Sequence, residues 1–236
     1  KETTFEMPWA RDPKSKLREA LVQEHINDKK IEQFFIDCES VLNQSLLFLK
    51  NLNKIELKRN GHSKLVVEIK RQGKSPKKKL SISLMPEKKI EEWIVFDSKV
   101  EDSELREIYK NHPILVKAER SSTVHVAVKT DSNELKKGLI YAYLPTQQLS
   151  QLPLHINADF YPESSRKSII LSGHQHDQQW NKLLLKKAAK MIADELENLT
   201  KHINHNQLFQ LIEAAYKAHL NDEDSAFSEF WNCIKK

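Results

Sequence analysis

The chain has 236 residues, of which 39% are hydrophobic and 30% are charged, and its formal net charge is +5. This length allows one large domain or two small ones with a hydrophobic core, and the mild basic excess permits an anionic partner without requiring one. No apolar run is long enough for a transmembrane helix. The only two cysteines, Cys38 and Cys233, give no disulfide framework, which favours a reducing, cytoplasmic location.

Glycine is rare, with four residues in the whole sequence. Neither of the common glycine-rich phosphate-binding motifs, GxGxxG and GxxxxGKS/T, is present. The sequence therefore lacks the signature of a nucleotide-binding loop. It begins without methionine and inside a strand-like segment, so we expect it to be a piece of a longer protein.

The first fifty residues are predicted to be mainly helical. Residues 1–12 resemble a short strand that Asp12-Pro13 ends, and residues 14–26 have helical spacing. A stronger helix is predicted over residues 29–50, with Asp28 as its N-cap. Its apolar stripe, which we interpret as core, comprises Ile31, Phe34, Phe35, Cys38, Val41, Leu42, Leu46 and Leu49.

Between residues 53 and 130 the apolar residues alternate with polar ones, which predicts strands. Asn60-Gly61 joins the first two runs and predicts a two-residue hairpin. The basic run KSPKKK at residues 74–79 is interpreted as a solvated turn, or alternatively as a loop that contacts an anion. A short helix is predicted over residues 103–111. The alternating residues include Ile55, Leu57, Leu65, Val67, Ile69, Leu80, Ile82, Leu84, Trp93, Val95, Val124, Val126 and Val128.

The segment from Leu144 to Leu199 contains the most informative pattern. An alternating strand over residues 154–160 leads into a turn and two adjacent cations, Arg166 and Lys167. A cation on a loop between a strand and a packed helix is well placed to meet an anion. The long amphipathic helix that follows is predicted from the spacing of Trp180, Leu183, Leu184, Ala188, Met191, Ile192, Leu196, Leu199 and Ile203.

Two further helices are predicted at the C-terminal end, one over residues 204–220 and one that contains Phe227, Phe230, Trp231 and Ile234. We interpret them as a small helical subdomain or a docking element, and their aromatic residues alternatively as part of a severed interface. Antiparallel strands followed by long helices predict an α+β fold, in which helices pack on a mixed or mainly antiparallel sheet.

Three stretches resemble sacsin-type, heat-shock-chaperone-like GHKL ATPases. The first is LPLHINADFYPESSRKSIIL followed, after a gap, by QWNKLLLKKAA, and it resembles the region after the ATPase domain. The stretch from Thr3 to Arg11 resembles the last strand of such an ATPase domain. The stretch from Ser45 to Leu57 resembles the family's apolar helix end running into the next strand. Together they span most of residues 3–199, in the family's order.

The resemblance implies a split βαβ core like that of the family's middle, or transducer, domain. It implies the end of an ATPase domain and a helical linker over residues 1–52 and the transducer-like domain over residues 53–203. The helical tail predicted over residues 204–236 lies beyond the resemblance. The full-length protein would bind ATP and Mg in an N-terminal domain missing here, whereas this fragment would bind no cofactor and would not be active alone. Its partners would be that ATPase domain, a client or partner protein and, in the full-length protein, a second copy in a homodimer.

Arg166 is the predicted catalytic residue, because related GHKL ATPases use a basic residue of the middle domain to reach the γ-phosphate. Lys167 is the alternative. If Arg166 is structural instead, we expect it to pair with Glu163 or Asp159.

Three polar residues near this loop, Gln147, Gln148 and Asn157, could orient it or contact the nucleotide. His174 and His176 lie two residues apart without a third ligand at a recognisable spacing. We therefore expect a helix-capping loop there rather than a metal site.

A second hypothesis involves no catalysis. The chain would be a binding module for protein or nucleic acid that uses basic loops at Lys77–Lys79 and Lys136-Lys137. It predicts salt-sensitive binding to nucleic acid by this fragment alone.

Overall fold

The computed structural model describes residues 27–59, 61–74, 77–86, 88–132 and 136–236. The chain divides into two compact units, and the boundary lies between Leu42 and Asn43. The strand predicted at residues 1–12 and the helix predicted at residues 14–26 lie outside the described residues. The domain limits predicted at residues 52 and 203 stay predictions.

Helix α1, Asp28–Ser45, confirms the strong helix predicted near the N-terminus. Its N-cap is Asn27 and not Asp28, because the Asn27 Oδ1 accepts a hydrogen bond from the N–H of Lys30 at 3.0 Å. The helix ends at Ser45 rather than at residue 50. The backbone beyond it turns, and the Arg71 guanidinium binds three carbonyls of this turning segment, those of Leu46, Leu49 and Leu52.

The second unit is built on an eight-stranded sheet in the order β1-β2-β3-β4-β5-β8-β6-β7. All neighbouring strands are antiparallel except β6 and β8, which are parallel. The sheet and its helices confirm the predicted α+β fold. The strands are β1 Lys54–Arg59, β2 His62–Lys74, β3 Lys77–Met85, β4 Lys89–Lys99, β5 Thr123–Lys129, β6 Leu139–Ala142, β7 Leu144–Leu149 and β8 His155–Asn157.

Local turn chemistry explains the first hairpin. Arg59 pairs with His62, which leaves two residues for the turn, and Gly61 has φ +78. A positive φ strains most side chains but not glycine. The hairpin predicted from the Asn-Gly pair is therefore confirmed.

Two local predictions are wrong. Residues Lys77–Lys79 do not form a loop, because they are the first residues of β3, paired on both sides with β2 and β4. The strand predicted over residues 154–160 is regular only from His155 to Asn157. It also does not alternate between a buried and an exposed face, because β8 lies between β5 and β6 and all three of its residues are buried.

One face of the sheet is covered by helices. Helix α4 packs on β4 and β5, and α7 packs on α4 and α6. The largest side chains of this core are Phe96, Phe160, Trp180 and Phe230. None of the helices that the structure describes is both long and apolar enough to cross a membrane. The helices after α1 are α2 Asp102–Asn111, α3 Ile114–Lys117, α4 His176–Asp194, α5 Leu196–Leu199, α6 His205–Asn221 and α7 Ser228–Ile234.

The C-terminal helices belong to this core. Phe227 and Phe230 are 6% and 0% exposed and pack in the same cluster as the α4 side chains. The interpretation of these two aromatics as a severed interface is therefore wrong, because they are already buried within the chain.

The other face of the sheet carries buried polar and aromatic side chains. Strand pairing places Trp93, His125, Tyr141 and His155 on this side, which we call the histidine face. Tyr141 and Trp93 both contact His155, with ring centroids 5.4 and 5.1 Å from the imidazole. The Phe48 ring covers Tyr141 at 4.8 Å.

Candidate functional site

Residues 161–170, which we call the arginine loop, connect the end of the sheet to helix α4. A β-bridge joins Pro162 to Ile169 and closes the loop at its base. At its tip the N–H of Arg166 donates to the carbonyl of Glu163 at 2.8 Å. Arg166 has φ +56, in the left-handed region that non-glycine residues seldom adopt. The loop therefore turns sharply at the predicted catalytic residue.

The cations at the tip are exposed. Both Arg166 and Lys167 face solvent, and within the described part of the chain no carboxylate pairs with either side chain. The expected structural partners do not serve this role. Glu163 meets Arg166 only through the backbone, and Asp159 pairs with Arg120.

Arg120 is the residue that the sequence analysis missed. Its Nη1 lies 2.6 Å from the Asp159 Oδ1, and its guanidinium carbon lies 3.5 Å from the centre of the Tyr161 ring. The second Asp159 oxygen accepts the N–H of Ser121 at 3.0 Å. Arg120 thus fixes both the aspartate before the loop and the first residue of the loop. The sequence gives no local signal for the pairing of Arg120 with Asp159, because the two residues are 39 positions apart.

The Trp-Asn pair of helix α4 binds the base of the arginine loop. The Trp180 Nε1 donates to the carbonyl of Asp159 at 2.9 Å. The Asn181 side chain is fully buried, and its Oδ1 accepts the N–H of Tyr161 at 2.8 Å. Its Nδ2 donates to the carbonyls of Tyr161 and Ile170 at 2.8 and 2.9 Å. The first turns of the helix therefore hold both ends of the loop.

Strand β7 holds the loop from the other side. The Gln147 N–H donates to the carbonyl of Lys167 at 2.9 Å. The Gln148 Oε1 accepts the N–H of Ile169 at 2.8 Å. Of the two roles left open for these glutamines, the contacts match orientation of the loop. The Gln147 side chain itself is exposed beside the tip.

Asn157 lies deeper, in β8. It is 5% exposed, and its Oδ1 accepts the N–H of Tyr143 at 3.0 Å. Tyr143 has φ +69 and turns the chain between β6 and β7. The pKa of the Tyr143 hydroxyl is raised, mainly by burial. The negative charge of Asp159 and a hydrogen bond to its side chain raise this pKa further. Asn157 thus supports the hairpin whose second strand holds the arginine loop.

The two neighbouring histidines lie where helix α4 begins. The Gln175 side chain and the Gln178 side chain form a reciprocal capping box at this end. The predicted helix-capping loop at His174 and His176 is confirmed in its position. His176 packs edge-on against Tyr161, with ring centroids 5.6 Å apart. The described residues contain no group of three His, Cys, Asp or Glu side chains placed to hold a metal ion.

The backbone of the arginine loop is held by hydrogen bonds at both ends, whereas the side chain of Arg166 has no acidic partner among the described residues. A guanidinium without an acidic partner keeps its donors available for phosphate or carboxylate oxygens. Because both ends of the loop are hydrogen-bonded, less conformational entropy is lost when the tip binds. The arrangement suits binding of an anion presented from outside the chain.

Comparisons of this chain with protein-family models, with curated proteins and with solved structures gave no match.

Proposed function

We propose that this chain is the middle, or transducer, segment of a cytoplasmic, sacsin-like and chaperone-like GHKL ATPase. It couples ATP binding and hydrolysis in an N-terminal domain to conformational change, and it contributes Arg166 to the γ-phosphate. Two things support this proposal: the sequence resemblance, and the single observation that Arg166 is exposed, unpaired among the described residues and held on a doubly anchored loop.

The chemistry is that of an arginine finger. Phosphoryl transfer develops charge on the equatorial oxygens of the γ-phosphate, and a planar guanidinium can bind two of them at once. A residue in this role contributes roughly 10³–10⁵ to the rate of turnover. ATP and Mg bind in the N-terminal domain, so Arg166 acts across a domain interface and this segment alone turns over no ATP.

Lys167 is the alternative donor within the same proposal. Its carbonyl is bound by the Gln147 N–H, while its side chain is exposed. A lysine offers a point charge and no planar fork, so it would bind phosphate with less directional preference than Arg166.

The test is ATP turnover by the full-length protein. Arg166→Ala should lower kcat about a thousandfold or more while ATP affinity stays unchanged, since the residue contacts charge that develops in the transition state. Arg106→Ala is the matched control, because Arg106 is an exposed arginine on helix α2. Lys167→Ala separates the two candidate donors. Unchanged kcat in both loop variants would refute the proposed role of the arginine loop.

A second candidate function is binding of protein or nucleic acid through basic residues. It is favoured by three lysines, Lys77, Lys79 and Lys201, that act on His202. Burial lowers the pKa of His202, and these three lysines lower it further. This cationic surface would bind phosphates with a strong dependence on salt. A salt titration of the chain against labelled DNA and RNA tests it, and affinity independent of salt would exclude it.

A further inference from the structure

A cavity of about 420 Å³ lies against the histidine face, away from the arginine loop. Strand β4 contributes Glu91 and Trp93 to its lining, β5 contributes Lys129, and β8 contributes His155. Lys136 and Lys137, just before β6, complete its basic side together with Lys89. Its volume is within the range of about 300–1,000 Å³ that is typical of small-molecule sites.

The described lining residues include four lysines and one carboxylate. Glu91 is buried and binds both Lys129, at 2.9 Å, and Lys89, at 3.1 Å. Burial alone would raise the pKa of Glu91, but the hydrogen bonds and charges of these two lysines outweigh it and lower the pKa. Glu91 offsets one of the four lysine charges, which leaves a net charge of +3 on these lining side chains. One of these charges belongs to the ion-paired group of Lys89, Lys129 and Glu91, and the other two lie outside it.

These remaining charges are carried by Lys136 and Lys137. Both are exposed, and in the described part of the chain neither is paired with a carboxylate. Cations at the edge of a partly enclosed cavity raise the local concentration of anions.

Trp93 and His155 line the cavity on the side of the sheet. The Nε1 of Trp93 has no acceptor among the described residues, but it has almost no accessible surface and is therefore closed off from the cavity. The Nδ1 of His155 accepts the N–H of Leu139 at 3.0 Å. Burial lowers the pKa of His155 to about 4, so the ring is neutral near pH 7 and its proton is on Nε2.

We propose that this cavity binds a small organic phosphate. The ligand is expected to be an anion, because the charged side chains of the lining are mainly lysines and the Glu91 Oε1 is already bound by Lys129 and Lys89. A compact anion would offset the charges of Lys136 and Lys137, which no described carboxylate pairs. Lysines are the only cations among the described lining residues, and their point charges suit the tetrahedral oxygens of phosphate.

The experiment is calorimetric titration of the chain with inorganic pyrophosphate, the simplest probe of this chemistry, at low salt. We expect saturable binding to the wild type with one site per chain. The double variant Lys136→Ala/Lys137→Ala should weaken binding and also flatten its dependence on salt.

The control variant is Lys110→Ala/Lys117→Ala, which removes the same charge from exposed positions on α2 and α3. It should bind pyrophosphate like the wild type. Circular dichroism of every variant verifies that the chain is folded.

Three results would overturn the proposal. The first is the absence of pyrophosphate binding to the wild type at about 10 mM, a concentration that would nearly saturate a site with a Kd of about 1 mM. The second is equal weakening by the cavity and control lysine variants, which would indicate general surface attraction. The third is displacement of pyrophosphate by a single-stranded oligonucleotide but not by a phosphorylated sugar, which would assign the lysines to nucleic acid. Tighter binding of citrate than of pyrophosphate would likewise refute the proposal, because it would indicate a carboxylate ligand rather than a phosphate.

Discussion

The hydrogen bonds of Asn181 give a direct test of how the arginine loop is held. We consider Asn181→Leu, which keeps the size of the side chain and removes its polar atoms. The substitution leaves the N–H of Tyr161 and the carbonyl of Ile170 without their present partner, whereas the carbonyl of Tyr161 keeps the N–H of Ile170 at 3.1 Å. Asn181 itself is 0% exposed, so water cannot readily take its place.

The expected cost follows from these three contacts. A neutral hydrogen bond contributes about 1 kcal/mol net, and a buried group left unsatisfied costs about 1–3 kcal/mol. The sum is about 3–5 kcal/mol, because the loop can shift to expose part of the freed backbone. For a domain of this size 1 kcal/mol corresponds to about 2–4 °C, so Tm should fall by roughly 6–20 °C.

The assay is thermal unfolding followed by circular dichroism, together with hydrogen exchange of the Tyr161 amide. The matched control is Asn206→Leu, an exposed position in the first turn of α6, which should change Tm by no more than about 2 °C. Equal Tm values for the two variants would refute the reasoning, and so would unchanged exchange at Tyr161.

Four other predictions concern the sheet. Gly138→Ala should cost about 3 kcal/mol or more in chemical denaturation, because its Cβ would overlap the Leu154 carbonyl. Gly61→Ala, which meets only an unfavourable φ, should cost about 1–2 kcal/mol. Arg71→Lys keeps the charge but loses the guanidinium fork over three carbonyls, and should cost about 1–3 kcal/mol in the same assay. His155→Gln should reduce the loss of stability that the wild type shows on acidification. Between pH 6.5 and about pH 4 the unfolded imidazole binds a proton that the folded one does not. This difference lowers the free energy of unfolding by up to ~1.4 kcal/mol per pH unit.

The parts of the fold that the sequence predicts are those with local causes. An Asn-Gly pair between two alternating runs specifies the β1–β2 hairpin, because the turn needs a positive φ and two residues. A three-residue spacing between capping groups fixes the start of α6, where Asn204 and Gln207 bind each other's backbone N–H. Each of these signals lies within a few residues of the structure it determines.

The parts that the sequence does not predict depend on distant neighbours. The basic residues Lys77–Lys79 read as a solvated turn, yet β2 and β4 on either side draw them into β3. In β8 the polar residues His155 and Asn157 read as solvent-facing, yet their hydrogen bonds to the N–H groups of Leu139 and Tyr143 allow them to be buried. Strand order decides both outcomes, and periodicity within a segment carries no information about strand order.

The same distinction applies to the candidate site. The sequence places Arg166 and Lys167 next to one another before a helix, but it does not say whether a carboxylate neutralises them. The structure answers this through Arg120, which occupies Asp159, the acidic residue that would otherwise be available. Because Asp159 pairs with Arg120, it does not neutralise the positive charges of Arg166 and Lys167 at the tip of the loop.

The geometry of Arg166 argues against an incidental surface residue. A left-handed φ costs a non-glycine residue of order 1 kcal/mol or more, and asparagine or glycine would occupy this position without that cost. An arginine needed only for solubility gains nothing from such a turn, since any exposed position serves equally well. A cation that must meet an anion from another domain does gain, because hydrogen bonds from Asn181 and Gln148 hold the backbone on both sides of it. Under the proposed phosphate-binding role, the strained backbone and the anchored loop would have one common explanation.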